Sequence, residues 1–241
     1  MFQTITTSRI IQVFIIFLGG GIFFLILAYL ILKKGKNRSN ITISGFFFFI
    51  FLGGLLNAIY ALLTTYADEK TVVTLHVLTY IFFCYAQIFL LLSNLIMLKS
   101  ERLFTLIKQF IIMGVYGALL FILFFIPEGV RINESTHHRP QWNLLFFIYA
   151  NIVWIGFVMI PTIITSIQIY KKLEDKILRK RWLMYFIGAI MIYIELFGVG
   201  VLILINDPYL RQIWNIYDVS VLIGAFLIYY GIVRQLKEGQ S

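Results

Sequence analysis

The sequence has few of the residues that a soluble domain needs. Only 13% of its 241 residues are charged, while 61% are apolar, whereas ordinary soluble domains carry about 25% charged and roughly 45–50% apolar residues. A soluble chain of this size could not cover so much apolar surface with so few charges. The low count of four prolines and the lack of low-complexity tracts argue against disorder. The composition predicts an integral membrane protein.

Cysteine and catalytic motifs are also scarce. The single cysteine, Cys84, lies within an apolar run, which excludes an intrachain disulfide and a cysteine-based zinc site. The sequence has no HExxH motif, no GxSxG motif and no histidine pair at metal-ligand spacing inside an apolar segment. We therefore expect no enzyme activity, no bound metal and no cofactor.

Seven apolar segments are long enough to span a bilayer, which takes ~20 residues per helix. Their apolar runs do not alternate as the strands of a membrane barrel would, so we expect an all-α bundle of seven transmembrane helices. No second domain fits in the connecting loops, so residues 1–241 are predicted to form a single transmembrane domain. The predicted spans are Ile10–Leu32, Ile41–Leu63, Thr71–Leu98, Leu103–Ile126, Leu144–Tyr170, Leu183–Ile205 and Ile213–Val233.

Lysine and arginine predict the orientation of the chain. The first, third and fifth loops and the C-terminal tail hold 15 of the 20 basic residues, and the opposite side holds 5. Because short basic loops stay in the cytoplasm, we expect an outer N-terminus and a cytoplasmic C-terminus in the cell membrane. Trp142, Trp182 and Trp214 fall at predicted segment ends, where indole rings favour the headgroup layer. The net charge of +9 thus indicates contact with lipid headgroups and not nucleic-acid binding.

Polar residues in the spans form two stripes on helical faces. One stripe in the third span contains His76, Tyr80, Gln87 and Asn94. A comparable stripe in the fifth span contains Asn151, Trp154, Thr162 and Thr165. Pro161 predicts a kink in the fifth span. Such stripes indicate either a polar cavity or hydrogen bonds between helices.

Ionisable residues at membrane depth mark the candidate ligand site, because burying a charge there is costly. They are His76, Glu195 and Asp218. Glu195 lies near the middle of the sixth span, where its side chain has no easy route to either headgroup layer. The polar positions crowd the outer halves of five helices, as a cavity open to the outside would need. The predicted ligand-binding residues are His76, Tyr80, Gln87, Asn151, Trp154, Glu195, Asn215 and Asp218.

The last span, NIYDVSVLIGAFLIYYGIVRQL, resembles the seventh helix of the seven-transmembrane sensor regions that precede prokaryotic histidine kinases. Those helices often carry an acidic residue near the outer start, as Asp218 does here, and an exit similar to Tyr230-Gly231-Ile232. The chain is also similar to uncharacterised archaeal seven-helix membrane proteins of this length. The resemblance implies a sensor. Because the sequence ends at Ser241 without a kinase domain, we expect its output to pass through another protein.

These observations predict a receptor-like or sensor module with an outward-facing polar cavity for a small-molecule ligand. Two alternatives stay open: a small-solute or proton-coupled transporter that uses Glu195 and Asp218, and a structural or assembly subunit. The basic segment Lys171–Trp182 is interpreted either as an anchor on the anionic lipid of the bilayer or as a docking site for a cytoplasmic signalling partner.

Overall fold

The computed structural model describes residues 19–64, 66–136 and 138–233, with the side chains of residues 100–102, 215, 216 and 233 outside that description. In these ranges the chain is mostly helical. The α-helices are α1 (Gly20–Lys34), α2 (Arg38–Leu63), α3 (Glu69–Leu103), α4 (Leu106–Phe121), α5 (Leu144–Trp154), α6 (Ile160–Lys172), α7 (Lys176–Ile205), α8 (Pro208–Tyr217) and α9 (Ser220–Val233). Short 3₁₀ turns cover Ile122–Phe125 and Glu134–Thr136, and an antiparallel hairpin pairs β1 (Val130–Arg131) with β2 (Gln141–Trp142).

Among the described residues, five helical stretches are long and apolar enough to cross a membrane. They are Arg38–Leu63, Glu69–Lys99, Leu106–Phe125, Leu144–Lys172 and Lys176–Ile205, which correspond to the second to sixth predicted spans. The prediction of a helical membrane protein is therefore confirmed. The first predicted span starts at Ile10, outside the described residues, and its described part is the 15-residue helix α1.

The seventh predicted span, Ile213–Val233, is not one continuous helix. Helix α8 ends at Tyr217, and α9 covers 14 residues up to Val233, the last residue that the structure describes. Between them the backbone N–H of Val221 donates to the Asp218 carbonyl, a tighter bond than the α-helical pattern. Hydropathy missed this break because an average over a long window does not register a single turn.

The fifth predicted span is interrupted next to its proline. Helix α5 passes into a π-helical turn, Ile155–Met159, and α6 follows with Pro161 in its first turn. Proline has no N–H to donate to the preceding turn, and π-turns are a recognised cause of kinks. The expected irregularity at Pro161 is thus present.

The basic segment Lys171–Trp182 is mostly helical and not a loop. Its first two lysines end α6, and α7 starts at Lys176, so only residues 173–175 connect the two helices. Asp175 sets this early start because its carboxylate accepts hydrogen bonds from the backbone N–H groups of Ile177 and Leu178, as an N-cap does. The basic residues therefore project from two adjoining helix ends.

Two of the three tryptophans predicted to lie in the headgroup layer are buried in the protein. The indole N–H of Trp182 donates to the Ser166 carbonyl at 2.8 Å, and that of Trp142 donates to Nε2 of His76 at 3.0 Å. These two indole rings therefore face the interior of the fold and not the lipid.

Helix α3 lies at the centre of the packing. It contacts α2, α4, α6 and α7. Beside it α1 packs on α2, α9 packs on α7, and α9 also contacts α1. The five helices α1, α2, α3, α7 and α9 therefore form a closed ring of contacts. Helix α4 buries only Gln109, Tyr116 and Leu120, which leaves most of its surface facing outward.

Glycines allow α7 and α9 to pack backbone against backbone. A Cβ atom on Gly231 would lie 2.7 Å from the Arg181 carbonyl oxygen, and one on Gly188 would fall still closer to the carbonyl oxygen of Gly224. Inside a bilayer, helix association depends on such close van der Waals packing and on hydrogen bonds between helices.

Asn94 joins three helices in the half of the bundle that lies away from the cavity described below, here called the lower half. Its side chain is fully buried. Its Nδ2 donates to the Thr162 carbonyl and to the Thr165 hydroxyl, both at 3.1 Å, and to the Ser166 hydroxyl at 2.8 Å. Its Oδ1 accepts from the Tyr185 hydroxyl at 2.8 Å. The two polar stripes of the sequence meet at Asn94. Their side chains at this point form hydrogen bonds that join α3, α6 and α7.

Gly188→Ala should destabilise the protein by about 1–3 kcal/mol, because the added methyl group forces α7 and α9 apart. Gly114→Ala is the matched control, since a Cβ at Gly114 meets no atom within 4 Å and alanine favours a helix over glycine. Thermal unfolding in detergent compares the two variants. Equal melting temperatures would contradict the packing assignment.

Asn94→Ala should cost about 2–3 kcal/mol, because it leaves several buried hydroxyl groups without their partner. Asn151→Ala is the comparison, since within the described residues the amide of Asn151 donates only to the Phe147 carbonyl in its own helix and its loss should cost less than about 1 kcal/mol. Urea or thermal unfolding measures both. A larger loss for Asn151→Ala would refute the central role of Asn94.

Candidate functional site

A cavity of about 250 Å³ lies among α1, α2, α3, α7, α8 and α9, next to the β-hairpin. Pro208 and Gln212 line one end of it and are exposed, so this end is the mouth. Most of the wall is apolar, with a small number of polar groups, a composition typical of small-molecule sites. The volume lies just below the ~300–1,000 Å³ of sites for drug-sized ligands, which limits any occupant to a small molecule.

Five of the eight residues predicted to bind a ligand line this cavity. They are His76, Tyr80, Gln87, Glu195 and Asp218.

The other three predicted residues are not among those that line it. Asn151 uses its amide on its own helix. Trp154 is buried against Tyr193, with the rings edge to face at 5.8 Å between centroids. The side chain of Asn215 lies outside the described residues. A helical wheel cannot separate these positions from those that line the cavity, because a polar residue on an inner face can serve either a cavity or a helix contact.

The β-hairpin fixes the aromatic and imidazole side of the cavity. Register pairs Val130 with Trp142, which carries the Trp142 indole onto His76 of α3. The His76 ring also meets the Tyr60 ring edge to face at 5.3 Å, and Tyr80 meets Trp142 at 4.7 Å. His76 is 5% exposed, and its Nδ1 has no hydrogen-bond partner among the described residues.

The turn between α8 and α9 brings Asp218 to Glu195 of α7. The two carboxyl groups interact directly, and the Trp214 indole lies beside them. Gly198 makes room for this indole, since a Cβ atom there would overlap its ring. Glu195 is 8% exposed, and its Oε2 has no hydrogen-bond partner within the part of the chain that the structure describes. The acidic residue in the middle of a span therefore faces the cavity, as its depth in the sequence predicted.

Two arginines that the sequence identifies only as loop charges also line the cavity. They are Arg139, which follows the 3₁₀ turn, and Arg211 of α8. Arg211 donates to the Pro140 carbonyl at 2.7 Å and to the Leu202 carbonyl at 3.4 Å, so it ties α8 to the hairpin loop and to α7. No sequence signal identifies this pair, because 71 intervening residues separate the two arginines and only the fold brings them to one mouth.

The cavity thus has cationic groups at its mouth and acidic groups deeper inside. Over the described ranges, no three side chains of His, Cys, Asp or Glu come together in a group that could hold a metal ion.

Comparison with known proteins finds no match: no family model, no curated protein and no solved structure matches the chain.

Proposed function

We propose that this protein is a receptor-like sensor of the cell membrane, with seven spans, an outer N-terminus and a cytoplasmic C-terminus. Its cavity binds a small molecule from the outer side, and its signal passes to a separate cytoplasmic protein. The observation that carries the proposal is the cavity itself: apolar walls, an open mouth and five inward-facing polar or ionisable side chains that the sequence singled out.

The packing order supports seven spans. Helix α9 touches α1 and so completes a ring of contacts that runs through α1, α2, α3, α7 and α9. In this arrangement α1 belongs to the first span, and α8 with α9 forms a broken seventh span. Discontinuous helices at membrane depth are tolerated where they line a cavity, and the break at Asp218 lies at the cavity.

The lower half of the bundle favours a receptor over a transporter. Transport needs access to the site from both faces in turn. Below the cavity, Asn94, Tyr185 and Trp182 are fully buried and bonded to neighbouring helices, so this half is closed by specific contacts. A proton-coupled transporter is the second candidate, because the Glu195 and Asp218 carboxyl groups interact, and two such groups in contact favour holding one proton between them. Neither candidate is an enzyme.

Helix α7 offers a route for the signal. It contributes Glu195 to the cavity and begins with exposed lysines at the basic end. From Glu195 to Lys180 the helix extends over ~22 Å at 1.5 Å per residue. A shift of the α7 wall on ligand binding would therefore be carried to the surface formed by Lys171–Trp182, where we place the partner.

In intact cells, a cysteine at position 199 should react with a membrane-impermeant thiol reagent about tenfold faster than one at position 153, because reaction needs an accessible thiolate. Val199 lines the cavity, whereas Val153 is buried away from it. Both Val→Cys changes are made in a Cys84→Ala background, and labelling is read by mass shift on gels.

Glu174→Cys tests the orientation in the same background. Glu174 is exposed in the connection between α6 and α7, so its cysteine should label only after the cells are permeabilised. If Val199→Cys stays unlabelled, the outward cavity and the receptor proposal both fail. If Glu174→Cys labels in intact cells, the orientation is reversed.

Replacing Lys172, Lys176 and Lys180 by Gln should weaken binding to anionic vesicles by roughly 1 kcal/mol per lysine and should abolish co-purification of the partner. All three side chains are exposed. The control replaces Lys33, Lys34 and Lys36, which are exposed at the end of α1 and just after it, and should affect vesicles but not the partner. Unchanged partner recovery in the first variant would leave only the anchor role.

A further inference from the structure

The mouth of the cavity and its floor, which is the acidic end at Glu195 and Asp218, lie at different depths along the antiparallel helices α7 and α8. Arg211 bonds to the Leu202 carbonyl, and Asp218 interacts with Glu195. Along each helix the two levels are seven residues apart, which corresponds to ~10 Å at the helical rise. The cationic level and the acidic level therefore lie at opposite ends of the cavity.

The mouth offers a hydrogen-bond donor that lacks a partner. The Trp142 indole can only donate, and it donates to Nε2 of His76. Nε2 is then the acceptor nitrogen of a neutral imidazole, so Nδ1 carries the proton. This Nδ1–H is buried and has no partner among the described residues. The imidazole ring that carries it lines the cavity. Arg211 lies close enough to His76 to interact electrostatically. The mouth therefore suits an anionic acceptor.

The floor offers two acceptor oxygens alongside the indole N–H of Trp214. Glu195 Oε2 and Gln87 Oε1 both lack partners over the described ranges, and both side chains are more than nine-tenths buried in the cavity wall. Asp218 adds a second carboxyl group beside Glu195. Buried polar atoms in native proteins are nearly always paired, so a donor that reaches these oxygens would complete the site. A cationic donor fits best, because charge-assisted hydrogen bonds are the strongest.

We propose that the cavity binds a small zwitterion, with an ammonium group at Glu195 and Gln87, a short apolar body against the walls and a carboxylate at His76 and Arg211. This inference rests on the proposed function and names the ligand class of the same site. The apolar walls, which include Phe24, Ile192 and Leu222, suit the body of such a ligand.

Four probes of equal chain length test the assignment: ω-aminooctanoate, octylamine, octanoate and octanol. The full-length protein in nanodiscs is titrated with each, and the midpoint of the rise in melting temperature gives the apparent Kd. We expect ω-aminooctanoate to bind about tenfold more tightly than either singly charged probe, because each end adds a charge-assisted hydrogen bond. Octanol should bind most weakly.

Two variants locate the ammonium end. Glu195→Gln should raise the apparent Kd of ω-aminooctanoate and of octylamine by about tenfold and leave the Kd of octanoate unchanged. Gln87→Leu should also weaken the binding of these two probes. It keeps the test valid if Glu195→Gln does not fold. Glu134→Gln, at an exposed site that does not line the cavity, is the matched control and should change nothing.

The outcomes separate this inference from the proposed function. Equal binding of all four probes, or loss of octanoate binding in Glu195→Gln, overturns the zwitterion assignment, as does the absence of any binding while Val199→Cys still labels from outside. Failure of Val199→Cys to label overturns the outward cavity itself. A preference for ω-aminooctanoate that Glu195→Gln removes supports both.

Discussion

The hydrogen bonds of Asn94 are the interaction on which the rest of the bundle depends. A polar amide cannot face lipid without a large cost, so its three donor contacts and its bond from Tyr185 hold α3, α6 and α7 in one relative position. Helix α3 contacts α2, α4, α6 and α7. Because Asn94 fixes the lower part of α3, the upper part, with His76 and Tyr80, is held at a defined place beside α2 and α7.

Helix α7 links this lower network to the cavity. Tyr185 joins the Asn94 network, Gly188 admits the backbone of α9, and Glu195 faces the cavity. The close α7–α9 contact also sets where the broken segment before α9 can run. Asp218 can meet Glu195 only because α8 turns back along α7 and α9 packs tightly on it. Small residues, and not larger apolar ones, are needed for that approach.

The contrast between the two polar regions carries the functional interpretation. In the Asn94 network the buried polar groups satisfy one another, which is the pattern of a structural contact. In the cavity, His76, Gln87 and Glu195 each keep one polar atom without a partner among the described residues. Buried polar atoms without a partner among the described residues also lie away from the cavity, as at Ser39 and Ser93, so the cavity is distinguished by gathering several of them around one open volume.

The sequence by itself determined the helical membrane class, because the composition leaves no alternative way to cover the apolar surface, and it placed five helices and the inward side of Glu195. It could not determine which polar residues serve the cavity. Asn94 and Gln87 share one helical face, yet one bonds to α6 and the other lines the cavity, and only the packing of neighbouring helices separates them. The break at Asp218 and the meeting of Arg139 with Arg211 were likewise decided by tertiary structure, because both depend on contacts between residues far apart in the chain.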